Sequence, residues 1–310
     1  VAEPRGGAGP GAGDAESLNE FKARVREHID SDFTTRGHHP WGAYTPAAFR
    51  HYIRSVALVH ALEGLPGVRT ALDVGCAEGF FMDVVRERFG AEVWGVDLSP
   101  VAVAHVRQRY HLPVAAADAI SLPFRDGSFD LVYSTETIEH VPEPERMLAE
   151  LRRVSRGQVV VTTPVSPLRD HHPDYELAQE GHINDFDRTT VERLFGRDAR
   201  YGSFRTNVTL AAIIAVGRHL PSPWRDHFYT LDYRVSQRWG SPEHRLPPLR
   251  NRDWLIATTG TGEGTGEPAW ACPRCRGHLI EEPAGLACAG CGARYPAADG
   301  VPDFFSASAE

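Results

Sequence analysis

Three short aliphatic runs in this chain each end in an acid: Thr70-Ala-Leu-Asp73, Val93-Trp-Gly-Val-Asp97 and Val114-Ala-Ala-Ala-Asp118. The first leads straight into Gly75-Cys-Ala77-Glu-Gly79, a turn in which small residues let bare backbone approach a ligand at the carboxyl edge of a parallel sheet. A carboxylate two residues before the first glycine would repel a pyrophosphate but suits an ammonium group. The spacing also departs from the G-x-G-x-x-G of dinucleotide sites. At the next strand tip Asp97 can accept both hydroxyls of a ribose, and at the third Asp118 can accept an adenine amino group. A cationic amino acid joined to adenosine would use all three acids.

That ligand is S-adenosylmethionine, and with it the chain resembles the class I methyltransferases over roughly residues 68 to 260. The resemblance continues in Leu122-Pro-Phe-Arg-Asp-Gly-Ser-Phe129-Asp130-Leu-Val-Tyr-Ser134 and in Glu139-His140-Val141. One departure is Ala77, where the family has the middle glycine of the turn. The resemblance implies a doubly wound α/β sheet of seven strands. It places Asp73, Gly75, Cys76, Ala77 and Gly79 around the methionine and ribose, Asp97 and Leu98 at the ribose diol, Asp118 and Ala119 at the adenine, and Thr135 at the mouth.

Methyl transfer from a sulfonium is an in-line displacement, so the protein must align a nucleophile and take its proton where it has one. Glu136-Thr-Ile-Glu139-His140 is expected to open a helix, with positions i, i+3 and i+4 on one face. A second cluster, His171-His172-Pro-Asp174 and Gly181-His182, follows the fifth strand. Two readings stay open. In one, Glu136, Glu139, His140 and His182 hold a divalent ion such as magnesium that lowers a hydroxyl pKa. This pattern resembles ubiquinone-pathway O-methyltransferases and small-RNA 2′-hydroxyl methyltransferases. In the other, His140 or His182 is a metal-free base. His171 and His172 read as solvated loop residues.

Near the carboxyl end, Cys272-Pro-Arg-Cys275 and Cys288-Ala-Gly-Cys291 form two C-x-x-C knuckles. Four thiolates satisfy a tetrahedral zinc ion and leave no open position, which predicts a structural site rather than a catalytic one. Paired disulfides are the other reading, and the first residues show no signal-like segment that would favour it. The stretch 270 to 305 resembles the small zinc-ribbon partner that activates several tRNA, ribosomal-RNA and release-factor methyltransferases, here carried in cis. Cys76 reads as a small packing residue.

The 310 residues, 42% hydrophobic and 24% charged, suffice for one catalytic domain and one ribbon. A formal charge of −8 argues against a general electrostatic grip on nucleic acid. The expected organisation is a disordered tail (1–14), a helical cap (15–66), the methyltransferase domain (67–258), a linker (259–268) and the ribbon (269–310). Strands are predicted near 70–74, 92–96, 113–117, 129–134 and 158–163, with a final pair at 200–205 and 254–258. The aromatic segment 207–250 reads as a lid-like insert. The apolar run Val208–Val216 is too short for a bilayer span, which predicts a soluble cytoplasmic protein. Together these readings give an O-methyltransferase of a small specialised metabolite such as a polyol, sugar or phenol. The alternatives are an RNA methyltransferase and a non-catalytic scaffold that retained the cofactor fold.

Overall fold

In the computed structural model the described residues are 17–36, 58, 62, 65, 67–164, 183–184, 186, 188–196, 199–207, 248–260 and 267–306. The tail 1–14, most of the cap beyond residue 36, almost all of the 207–250 insert, and His171, His172 and His182 lie outside them.

Thr70–Val74 forms β1, buried along its whole length, and Glu92–Asp97, Val114–Ala116, Phe129–Thr135 and Ser155–Pro164 form β2 to β5. Arg200–Asn207 is β6 and Pro248–Gly260 is β7. They make one seven-stranded sheet in the order β3-β2-β1-β4-β5-β7-β6, parallel except for β7, which runs antiparallel to both of its neighbours. The central strands read as near-continuous apolar runs because both faces of a parallel sheet are covered. Leu72 and Val74 feed one hydrophobic core while Ala71, just before them, feeds the other. Strand order turns back at β1, with β2 on one side and β4 on the other, so a crevice opens there beyond the strands' carboxyl ends.

Phe80–Phe89 (α2), Pro100–Tyr110 (α3), Pro144–Val154 (α4) and Arg188–Phe195 (α5) are the helices joined to these strands. Ser99 caps α3 by accepting from the Ala102 amide, and Pro100 takes the first-turn position where no N–H is missed. Ahead of the sheet lies α1, Leu18–Arg36. A reciprocal capping box starts it: the Ser17 amide donates to the Glu20 carboxylate at 2.8 Å and the Glu20 amide to the Ser17 hydroxyl at 3.3 Å. Among the described residues no helix is long and apolar enough to cross a membrane.

The helix expected to open at Glu136 is not α-helical. Glu136 sits in the left-handed region at φ 54°, a single 3-10 turn covers Ile138–His140, and α4 starts only at Pro144. The cause is local. Pro142 disfavours helical torsions at Val141, which is extended at φ −96°, ψ 122°. Upstream, the Glu136 amide is held on β5 by donating to the Thr162 carbonyl. Glu136, Glu139 and His140 therefore do not share an α-helical face.

The carboxyl-terminal segment is a four-stranded antiparallel sheet of Leu279–Glu282 (β8), Gly285–Cys288 (β9), Arg294–Ala298 (β10) and Val301–Pro302 (β11), ordered β11-β10-β9-β8. It is seated on the part built around the seven-stranded sheet. The Ala271 amide donates to the Pro123 carbonyl at 2.8 Å and the Phe304 amide to the Ala116 carbonyl, on edge strand β3, at 2.7 Å. Trp270 stacks on Phe124 at 4.9 Å and meets Trp94 edge-on, so one core runs across both parts. The expected linker is also shorter at its start, because β7 continues to Gly260.

Candidate active site and cysteine cluster

At the switch point the turn after β1 leans on β2. The Gly75 and Cys76 amides both donate to the Val96 carbonyl, at 2.8 and 3.0 Å, and the Ala77 amide donates to the Asp97 carboxylate at 2.9 Å. The other Asp97 oxygen accepts from the Ser99 amide at 2.9 Å, so this one side chain fixes the first turn against the second. Burial raises the Asp97 pKa, the Ser99 and Ala77 amides pull it back, and the nearby Asp30 raises it further. Gly75, Ala77 and Gly79 have φ of 82°, 45° and 77°. The bareness of the two glycines also serves the protein's own packing. A Cβ on Gly75 would collide with the Thr137 side chain, and one on Gly79 would lie 2.8 Å from Val106 of α3. Ala77 bears a left-handed conformation that costs a non-glycine residue roughly 1 kcal/mol.

Asp73 is 1% exposed, and neither of its carboxyl oxygens has a hydrogen-bond partner among the described residues. The buried Tyr133 hydroxyl beside it likewise lacks a partner of strict geometry, yet it lies near enough to act on the carboxyl's ionisation. Burial drives the Asp73 pKa well above the carboxylate range, Tyr133 opposes this, and Asp97 adds to it. A buried acid in this state is stabilised by an arriving cation. Cys76 is 4% exposed, its thiol pushed well up by burial and then by Asp97 and Asp73, which makes it an inert packing group. Thr135 is buried, Leu98 is half-buried, and Ala119 packs against the core. Asp118 accepts from the Ile120 amide at 3.1 Å on one oxygen and from Lys22 at 2.6 Å on the other.

On the far side of the crevice Glu139 is 1% exposed and accepts from the Thr163 hydroxyl at 3.3 Å, while its backbone carbonyl takes the Ile183 and Asn184 amides. His140 is half-buried on the 3-10 turn. Glu136, Glu139 and His140 do not gather into a set of three metal ligands. Among the described residues the group that does is Cys272, Cys275, Cys288 and Cys291, whose sulfurs all lie within 4.8 Å of one another. Sulfur separations of 3.6 Å (Cys272 to Cys291) and 3.4 Å (Cys275 to Cys288) are far too long for disulfides. They approach the roughly 3.8 Å expected between thiolates each about 2.3 Å from one tetrahedral zinc ion. Burial raises the Cys288 thiol, but the Cys291 and Gly290 amides and the neighbouring thiols outweigh it and draw the group down to about 6. The buried Tyr295 hydroxyl lies 3.1 Å from the Cys272 sulfur.

Sequence reasoning missed Lys22, Arg26, Tyr133 and Tyr295. A signal for the first two exists: Lys22, Arg26 and Asp30 recur every four residues, a polar stripe easily read as a solvated helix face. Tyr133 enters the sequence reading only within the motif that ends at Ser134, and Tyr295 only within the ribbon stretch, neither with a role of its own.

Residues 72–161 match the family model described as a methyltransferase domain. Tocopherol O-methyltransferase of Arabidopsis thaliana is 34% identical over 105 residues, 31% of this chain and 30% of that protein. A probable S-adenosylmethionine-dependent methyltransferase of Mycobacterium tuberculosis is 38% identical over 109 residues, 33% of this chain and 39% of that protein. The matched stretch thus spans well under half of either relative's length. Among solved structures, the phosphoethanolamine N-methyltransferase 2 of Haemonchus contortus, in complex with phosphomonomethylethanolamine and S-adenosylhomocysteine, has a TM-score of 0.50 at 16% identity, covering 76% of this chain and 60% of that one. Likeness at that identity shows the fold alone. Residues 72–161 are thus similar to a methyltransferase domain, and they lie within a Rossmann-like sheet.

Proposed function

We propose that this protein is an S-adenosylmethionine-dependent methyltransferase that places the methyl group on an oxygen of a small specialised metabolite. The observation that carries the cofactor reading is the buried Asp73 carboxyl, without a hydrogen-bond partner among the described residues, beside a turn that Asp97 pins in place. An ammonium group would supply the missing partner. In this reading Gly75, Cys76, Ala77 and Gly79 border the amino-acid portion, Asp97 and Leu98 face the ribose diol, Asp118 and Ala119 face the adenine, and Thr135 borders the mouth. When bound, the cofactor supplies an electrophilic methyl group. The chain then has to hold the acceptor in line and take its proton, and His140 is the described residue suited to that base role. His182, the other candidate, lies outside the described residues.

Oxygen as the acceptor atom is favoured by the name of the Arabidopsis relative, a tocopherol O-methyltransferase. The formal charge of −8 weighs against an RNA substrate, which a general electrostatic grip would favour. No step is routed through a divalent ion, because Glu139 is engaged with Thr163 and the three described donors do not converge. The four cysteines are read as ligands of a structural zinc ion, which holds the ribbon together and takes no part in the chemistry.

Calorimetry with S-adenosylmethionine and S-adenosylhomocysteine tests the cofactor reading. Binding by the parent is expected, with a loss of about tenfold or more in Asp97→Asn, where one charged acceptor becomes an amide. An Asp97→Asn protein that binds as tightly as the parent would overturn the ribose assignment. A parent that shows no heat and no thermal stabilisation would return the scaffold reading.

A further inference from the structure

Helix α1 is attached to the domain in an unusual way. Lys22 is buried at 5% exposure, and it is the one buried residue of the helix among those described. A helix that merely covers a core buries apolar side chains, and lysine is among the residues least often enclosed. In α1, Leu18 packs against the core, but the inward stripe continues as Lys22, Arg26 and Asp30, one helical step of four apart.

Each member of the stripe has a partner in a different part of the molecule. Lys22 meets the Asp118 carboxylate at 2.6 Å, at the tip of β3. Arg26 grips Asp303 with both terminal nitrogens, at 3.2 and 2.5 Å, in the segment that follows the ribbon's last strand. Its guanidinium also lies 5.2 Å from the Phe305 ring centroid. Asp30 accepts from the Ser99 hydroxyl at 2.5 Å, two residues beyond Asp97. The helix thus lies along the tips of β2 and β3, the edge read above as the adenosine end of the cofactor site, and the ribbon holds its middle.

We propose that α1 is a polar latch over the adenosine end of the cofactor site, in which Lys22 and the adenine amino group compete for Asp118 and the Arg26–Asp303 pair anchors the latch to the ribbon. This rests on the cofactor reading. A charge-assisted contact from an ammonium to a carboxylate is about twice as strong as one from a neutral amine, so the adenine does not displace Lys22 by that contact alone. Because only the open form offers Asp118, the closed latch lowers the apparent affinity in proportion to the small fraction of molecules that stand open.

The test is calorimetric titration of S-adenosylhomocysteine into the parent, Lys22→Met and Asp303→Asn proteins, each checked for folding by its thermal transition. Removing the competitor is expected to tighten binding about fivefold in Lys22→Met, with a smaller gain in Asp303→Asn, where the anchor alone is weakened. If Lys22→Met does not fold, Asp303→Asn carries the comparison. Amide exchange provides a second readout: protection of the α1 amides 22–30 in the parent is expected to fall on adding S-adenosylhomocysteine. Unchanged or weaker binding in the variants, or α1 amides that become better protected, overturns the latch while leaving the cofactor reading intact. Binding in none of the proteins overturns the cofactor reading, and the latch with it.

Discussion

At the scale of single residues the acids of this chain divide by position on the sheet. Those at strand tips are raised by burial or shared with a neighbour, whereas Asp130, near the start of β4, is fully satisfied. Its carboxylate accepts from the Arg69 and Thr70 amides at 3.0 and 2.9 Å and from the Arg156 side chain at 2.8 Å, which staples the amino ends of β1, β4 and β5. Burial opposes ionisation, but these donors outweigh it and hold the pKa at about 2 against an ordinary 3.8. A depressed carboxylate contributes stability that is present above the unfolded pKa and lost as pH falls through the folded one. Stability is therefore expected to drop between about pH 4 and pH 2 by roughly 1 kcal/mol from this group, the full shift being reduced by solvent screening. Denaturant titrations across that window should show a shallower drop in Asp130→Asn than in the parent, and equal slopes would refute the assignment. The strand-tip acids were legible in the sequence because an aliphatic run ending in a carboxylate is a local pattern. Tyr133 was not, since its importance comes from standing beside Asp73, and that adjacency depends on the pairing of β4 with β1.

At the scale of elements, the strand pattern gave β1 its bounds and β2 to β4 within about a residue at each end, as continuous apolar runs in a parallel sheet allow. The segment 136–140 was misread because residue types i, i+3 and i+4 were weighed without Pro142 and Pro144 just beyond them. The cysteine knuckles were equally local and equally legible, but their supporting residue was not. Tyr295 lies on β10, four residues past the second knuckle's last cysteine, Cys291, and its hydroxyl reaches back to Cys272 at 3.1 Å. Groups that hydrogen-bond to a metal ligand orient it and tune its basicity, and their loss typically costs about 10- to 100-fold in metal affinity. Tyr295→Phe keeps the ring in the core and deletes only that contact. Competition against a chromophoric chelator should find zinc held at least about tenfold more weakly, with the fold retained. An unchanged zinc affinity would mean that the hydroxyl is merely parked beside the sulfur.

At the scale of the whole molecule, the sequence suggested a ribbon joined by a linker, and in the structure one continuous core runs across both parts. Trp270 and Phe304, from opposite ends of the ribbon segment, meet at 5.6 Å, and Trp270 lies between Phe124 and Trp94 of the catalytic domain. Phe304 is 5% exposed and packs on Tyr295 at 5.0 Å, which links the domain junction to the cysteine cluster through a single ring. Nothing local in the sequence could announce the junction itself, because Trp270 lies more than a hundred residues from both Phe124 and Trp94 in the chain. A shared core has a cooperative consequence: loss of the metal or of the junction should destabilise the whole rather than release an independent domain. Phe304→Ala is expected to cost about 3 kcal/mol, the range for deleting a buried phenylalanine. If the four cysteines hold the zinc ion proposed for them, a chelator should lower the temperature of one unfolding transition. Calorimetric scans that resolve two transitions, with only the smaller one moved by the chelator, would show that ribbon and catalytic domain fold separately and that the aromatic junction does not couple them.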